Sequence, residues 1–304
     1  MSLDAEALLD RRRQRRRLVF WRVVAVLALA VAGIAVAGRF ATLRDWQGPH
    51  VARLWIEDII VDDQERTEAI DMLAEDDEVA AVVLRIDSPG GTLSGSEELY
   101  LALRRVAEVK PVVAVIGGVG ASGGYMAAIA ADRILARDSS ITGSIGVVLQ
   151  TMEVTELLAK LGIAPEAIKS APLKAQPSPF EKLTEEARAA TEATVRDSFE
   201  LFAGMVGERR GLTGEALARV TDGRVFTGRQ ALQAKLIDGI GGEREALAWL
   251  ETERGVTPDL PVLEVTWGEP ADLLYELSGR VFGKPYSFER LTLDGLVALW
   301  HPRP

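Results

Sequence analysis

The sequence predicts an α/β protein with mainly parallel strands and flanking helices, preceded by one N-terminal transmembrane helix. Three observations predict it. From residue 51 onward, strand-like and helix-like patterns alternate. Val79–Ile86 and Pro111–Ile116 are almost continuously apolar at strand length, as strands buried on both faces are. Leu18–Gly38 is an apolar run that would measure roughly 31 Å as a helix, about one hydrocarbon core.

The basic segment 1–17 precedes that run, with Arg11–Arg17 interrupted only by Gln14, and only Arg39 and Arg44 follow soon after it. This asymmetry places the N-terminus in the cytoplasm and the body outside. Arg22 lies just inside the run, where a long side chain reaches the headgroups. Ala35-Val36-Ala37 also fits a signal-peptidase site, so an anchor at 18–38 and a cleaved leader both predict an exported body.

After a linker at 39–50, the expected folded body spans 51–255. Residues 51–61 read as a strand, Glu65–Leu73 as a short helix and 87–95 as a loop. Ser94 and Glu97 form a capping-box pattern ahead of a helix whose apolar face is Leu99, Leu103 and Val106. A glycine loop after Pro111–Ile116 opens a small-residue helix to about Ala131, followed by short strands at 133–136 and 145–149. Helix 154–161 leads to SAPLKAQPSPF at 170–180, whose prolines forbid a continuous helix. Thr184 caps a long helix with an apolar stripe of Val195, Phe199, Phe202 and Val206, closed by Arg209-Arg210-Gly211. Another helix starts at 228. The extension 256–304 carries a strand-like Pro261–Trp267 and an amphipathic tail.

Composition narrows the chemistry. There is no cysteine, which removes thiolate nucleophiles, disulfides and Cys-ligated metal. The two histidines, His50 and His301, lie far from any motif, so no metal site and no cofactor is expected. Residues 1–44 carry a net charge of +6 and the remainder −16. So acidic a body does not suit nucleic acid.

GGVGASGG at 117–124 admits three readings. It fits a dinucleotide-binding turn, with Asp138 twenty residues past Gly118, and it fits the G-x-S-x-G nucleophile elbow. It also fits a tight strand-to-helix turn with no chemistry. Mid-chain placement in an exported body weakens the first, and the lack of a suitable histidine weakens the second. What remains chemically is Ser122 at a helix N-terminus, in need of another base. Lysine suffices if desolvated, since a drop of roughly 3 units from 10.4, about 4 kcal/mol, makes it useful near neutral pH. Of seven lysines, Lys174 stands out in the proline-broken segment, against the plain alternative of a solvated surface lysine.

Over residues 51–245 the chain resembles bacterial signal peptide peptidase A, a membrane-anchored serine protease family with the ClpP/crotonase fold. The resemblance rests on Asp87-Ser88-Pro89-Gly90-Gly91, Ala121-Ser122-Gly123-Gly124-Tyr125, Thr142-Gly143-Ser144-Ile145-Gly146-Val147, the segment Lys169 to Pro179, and GRVFTGRQALQAKLID at 223–238, in the family's order. It implies a Ser122–Lys174 dyad, with Lys174 and not Lys169 as general base and Ser144 orienting the lysine. It implies an oxyanion hole from the backbone of Gly123 with Gly90 or Gly91, and a peptide substrate added as a strand after Gly91. It further implies a homo-oligomeric ring such as an octamer, with dyads completed between neighbours. The chain departs from the family at Met126, Ala175 and Phe180-Glu181, and Pro172 and Pro177 stiffen the lysine segment.

The expected protein is a single-pass serine endopeptidase of the cytoplasmic membrane, facing outward and degrading remnant signal peptides or similar apolar segments. The alternatives are a quality-control protease of the same fold, an inactive assembly or binding protein, and, more distantly, a crotonase-type CoA enzyme.

Overall fold

The structure, a computed structural model, describes residues 20–27, 48–267 and 297–299. Residues 20–27 form helix α1, inside the apolar run at 18–38; the remainder of that run lies outside the described residues. Among the described residues no helix is long and apolar enough to cross a membrane. The chain divides into two units between Gly48 and Pro49, and the second carries the sheet.

Among the described residues that sheet has nine strands: β1 (His50–Ile60), β2 (Val79–Thr92), β3 (Val112–Ala121), β4 (Arg133–Ala136), β5 (Ile141–Gly143), β6 (Val225–Thr227), β7 (Gly239–Ile240), β8 (Val262–Glu264) and β9 (Val297–Leu299). The order is β6-β5-β3-β2-β1-β8, with β4 between β3 and β7 and with β9 beside β2. Every pairing is parallel except β5 with β6 and β2 with β9.

Strand alternation sorts the apolar residues into two layers. Leu54, Ile56, Val82, Leu84, Ile86, Ala114 and Ile116 face one core. Helices α2 (Gln64–Glu75), α3 (Leu93–Val109), α4 (Gly123–Ala128) and α6 (Glu185–Arg210) cover it. The expected face of α3, Leu99, Leu103 and Val106, is wholly buried there, as are Phe202 and Val206 of α6. Ala81, Val83, Val113 and Val115 face the other side, against Ala246 and Leu250 of α9 (Glu243–Arg254). Short helices α5 (Thr155–Lys160), α7 (Gly214–Val220) and α8 (Gly228–Gln233) complete the body.

Thr184 caps α6 by accepting the Ala187 N–H, and Gly211 closes it in the left-handed region, as expected. Three local expectations are corrected. The cap of α3 is Thr92, which accepts the Gly95 N–H, rather than Ser94. The expected loop 87–95 is strand as far as Thr92, because β1 stays paired to β2 through Ile60↔Gly91. The expected strand 145–149 is instead β5 at Ile141–Gly143, where Thr142 and Gly143 are buried between β3 and β6.

β3 forks, and the fork places the site. Val113–Ile116 pair with β4, and Val119–Ala121 pair with β5. β2 and β3 pair from Val82↔Val112 to Ser88↔Gly120, with a register shift between Ile86 and Ser88, after which β3 ends at Ala121. β2 therefore runs on past its neighbour through Gly90–Thr92.

Candidate active site

Ser122 follows β3 directly and adopts φ 55°, ψ −118°, a conformation that L residues avoid. Holding it costs on the order of 1–3 kcal/mol, which the surroundings must supply. Its N–H donates to Gly143 O at 2.7 Å and its C=O accepts the Met126 N–H at 2.9 Å. A Cβ on Gly124 would stand 2.6 Å from Ser88 O, so only glycine lets α4 lie this close to β2. The Ser122 side chain is 1% exposed, and its hydroxyl makes no hydrogen bond among the described residues.

Ser144 comes to Ser122 through strand register. Ala121 pairs with Gly143, so the residues that follow, Ser122 and Ser144, occupy matching positions. Ser144 too has positive φ, at 51°, and its N–H donates to Arg224 O at 2.8 Å. Thr142 Oγ1 donates to Gly120 O at 2.7 Å, tying the two strands just before both serines.

The β2 glycines sit across from this turn. Ser88 is fully buried, and its hydroxyl donates to Asp58 O at 2.6 Å while accepting the Gly90 N–H at 3.1 Å. Asp87 Oδ1 accepts the Val119 N–H at 2.9 Å, fixing the start of the Ser122 strand end. Gly90 has φ 103°, and a Cβ on Gly91 would overlap Ile60 O at 1.7 Å. Both glycines are thus required by geometry, and Gly90 already has a partner for its N–H.

The C-terminal end of α4 is held from outside. Arg104 Nη1 donates to Ala130 O at 2.8 Å, and Arg209 donates through Nε to Ile129 O and through Nη2 to Ala131 O. Burial first, then the neighbouring Arg104 charge, pushes the Arg209 guanidinium below its ordinary value. Tyr125 is completely buried with its hydroxyl on Leu236 O at 2.7 Å, and burial raises its phenol. Asp238 accepts the Ile134 N–H at 2.8 Å and pairs with Arg210 at 2.7 Å. Burial pulls Arg210 down, but the Asp238 hydrogen bond together with the charges of Tyr125 and Asp238 outweighs it, and the net shift is upward.

Lys174 is the one expected site residue the structure does not bring to Ser122. It lies on an exposed turn, with its N–H on Ala171 O, and makes no side-chain bond to Ser122 or Ser144. Lys169 is committed elsewhere, in an ion pair with Glu181 at 2.5 Å, and the same carboxylate accepts from Gln176. Next to the site, beginning one residue past Ser144, an open cavity of about 840 Å³ lies between Ile145–Leu149, Pro177, and Val195 and Phe199 of α6. Among the described residues no group of three or more His, Cys, Asp or Glu side chains is placed to hold a metal ion.

Sequence reasoning assigned chemistry to the glycines and serines but gave Asp87, Ser88, Arg104 and Asp238 no role. Asp87, Ser88 and Asp238 lie inside the motifs quoted for the resemblance, which was the available signal. Arg104 lies in no such motif and no sequence feature marked it.

The family model for peptidase family S49 matches residues 104–257. A Synechocystis sp. protein assigned as a protease is 38% identical over 205 residues, covering 67% of this chain and 74% of its own length. The chloroplastic serine protease SPPA of Arabidopsis thaliana is 31% identical over 76% of this chain, and Protease 4 of Salmonella typhi is 34% identical over 57%. The aligned parts are 34% and 28% of those two longer proteins. Among solved structures, ClpP1 of Listeria monocytogenes aligns over 64% of this chain and 92% of its own, with a TM-score of 0.41 and 15% identity. A nucleophile-type serine turn braced by motif residues, and a match over half the chain, lead to one assignment: the chain belongs to peptidase family S49, as a serine protease of the signal peptide peptidase A type.

Proposed function

We propose that Ser122 is the nucleophile of an endopeptidase of the ClpP/crotonase fold, and that Lys174 of a neighbouring copy is its general base. The Ala121↔Gly143 register carries the first half, since it sets Ser122 beside Ser144 on a strained turn with the hydroxyl free. The exposed Lys174 carries the second. A solvated ammonium is a poor base, and desolvation in a subunit contact makes it a useful one. The segment that bears Lys174 also exposes Met152, Leu161, Ile163 and Ile168, a surface suited to a ring.

In this reading Lys174 takes the Ser122 proton as Oγ attacks the peptide carbonyl, and returns it to the leaving amine. Water then releases the acyl group. Ser144 orients the lysine. The Gly123 N–H and the backbone of Gly91 stabilise the oxyanion, Gly90 being engaged by Ser88. The basic segment Arg11–Arg17 and the apolar run at 18–38 support a single-pass anchor in the cytoplasmic membrane with the protease facing outward. Remnant signal peptides are then the nearest apolar substrates.

Cleavage of a synthetic signal peptide by the full chain in detergent tests this. Ser122→Ala and Lys174→Ala should each lower kcat/KM by about 1,000-fold or more, while Lys169→Ala stays within about tenfold. Equal loss in Lys169→Ala with retention in Lys174→Ala reverses the base assignment.

A further inference from the structure

β3 changes neighbours partway along, and the change leaves a bulge just before Ser122. Ile86 pairs with Ile116 and Ser88 with Gly120, so Gly117, Gly118 and Val119 of β3 stand against Asp87 alone. On the other side β4 pairs only as far as Ile116, and β5 only from Val119. The backbone of the bulge therefore lacks the ladder partners of a regular strand. Two side chains take their place. Asp87 Oδ1 accepts the Val119 N–H at 2.9 Å. Ser140 Oγ donates to Gly117 O at 2.6 Å, with Ile116 O at 3.2 Å, and accepts the Arg137 N–H at 2.9 Å. The carboxylate lies over the bulge, since a Cβ on Gly118 would stand 3.1 Å from Asp87 Oδ1.

We propose that Asp87 and Ser140 are positioning residues for Ser122, fixing the length of this bulge and so the place where β3 delivers the nucleophile. The proposal rests on the reading of Ser122 as nucleophile. Past the bulge the chain is tied to β5 by Thr142 Oγ1 on Gly120 O and by the Ser122 N–H on Gly143 O. Those bonds belong to one register, with Ala121 opposite Gly143. A bulge free to gain or give up a residue would slip that pairing and turn Ser122 to the other face. The two pins differ in their surroundings. Ser140 is 1% exposed, so its removal takes a partner from interior backbone and costs stability. Asp87 is exposed, so water pairs with the Val119 N–H in its absence. Stability is then spared and only the geometry is lost.

The experiment therefore turns on Asp87. The full chain in detergent is labelled with a small fluorophosphonate, which reads the reactivity of Ser122 without the peptide subsites. Rates are taken per folded molecule, with thermal melts alongside. Asp87→Ala should slow labelling about tenfold or more, as a displaced reacting group does. Its melting temperature should stay within about 3 °C of wild type. Asp87→Asn keeps an acceptor oxygen without the charge and should label within about threefold of wild type. Ser140→Ala should lose both rate and melting temperature. Combined with Asp87→Ala it should slow labelling by less than the product of the single effects, because both residues pin one bulge. Where Ser140→Ala does not fold, the two Asp87 variants decide alone. Wild-type labelling in Asp87→Ala overturns the proposal. So does Asp87→Asn as slow as Asp87→Ala, which makes the charge and not the acceptor the operative feature. Labelling lost in Ser122→Ala but kept in Asp87→Ala strikes this proposal alone. Labelling that survives Ser122→Ala, or is absent from wild type, strikes the nucleophile reading on which it rests.

Discussion

Ser88 shows what a motif residue contributes without touching substrate. Its buried hydroxyl links Asp58 O to the Gly90 N–H, joining the end of β1 to the bend of β2 opposite the nucleophile. Asp58 itself has φ 58°, so this bond also holds an unfavourable backbone. Ser88→Ala leaves a carbonyl and an amide without that partner in the interior, and should cost about 1–3 kcal/mol by chemical denaturation. The same variant should also lower kcat/KM, because it loosens the Gly90 bend of β2 beside the nucleophile. Wild-type kcat in a measurably destabilised Ser88→Ala would show the bond to be structural only.

At the scale of elements, α4 and α9 are positioned by charge at their ends. α4 is too short to be stable alone, and the carbonyls of Ile129, Ala130 and Ala131, just past its end, are taken up by Arg104 and Arg209. α9 is fixed at its start by Glu245, whose carboxylate accepts the Gly242 N–H at 2.8 Å. That bond first, then Arg244, lowers the Glu245 carboxyl from 4.5 to about 2. A folded value below the unfolded one adds stability above pH 4.5, and that stability is lost as pH falls from 4.5 towards 2. Glu245→Gln should therefore flatten the acid side of the stability curve in that window and leave the curve above pH 6 parallel to wild type, as read by thermal melts across pH. An unchanged acid limb would remove Glu245 from the account.

For the whole molecule, one segment of the described body concentrates exposed apolar side chains. Between Val148 and Phe180 the exposed residues include Met152, Leu157, Leu161, Ile163 and Ile168, the last 97% exposed. The same segment carries Lys174, which is exposed and makes no side-chain bond to Ser122 within the chain. If a second copy covers this segment, a carboxylate placed in it is desolvated without a partner, at a cost of several kcal/mol. Leu161→Asp and Ile168→Asp should then weaken association about a hundredfold or more, measured by sedimentation, and activity should fall with it at equal protein concentration. Mixing Ser122→Ala chains with Lys174→Ala chains should restore part of the activity if dyads form between copies. No recovery in mixed oligomers would place both residues in one chain.

Apolar runs of strand length and helical repeats gave the α/β class, the two buried strands, and the span of α6, because burial pattern and caps are local properties of sequence. Local pattern also picked out Ser122, since small residues between a strand and a helix mark a close turn. It misplaced the cap of α3 at Ser94 and read β2 as ending at Ile86, since neither Thr92 nor Gly91 looks like strand until Ile60 is seen pairing beside them. It gave no sign of α7 or α9, whose buried residues are few and meaningful only against the sheet. Ser144 stands at Ser122 only because β5 pairs with β3 in one register, and Val297–Leu299 meets Gly90–Thr92 across some 200 residues of chain. Which residue types can do the chemistry was thus determined by the sequence itself. Which of them meet was decided by strand pairing, a long-range choice that no local window contains.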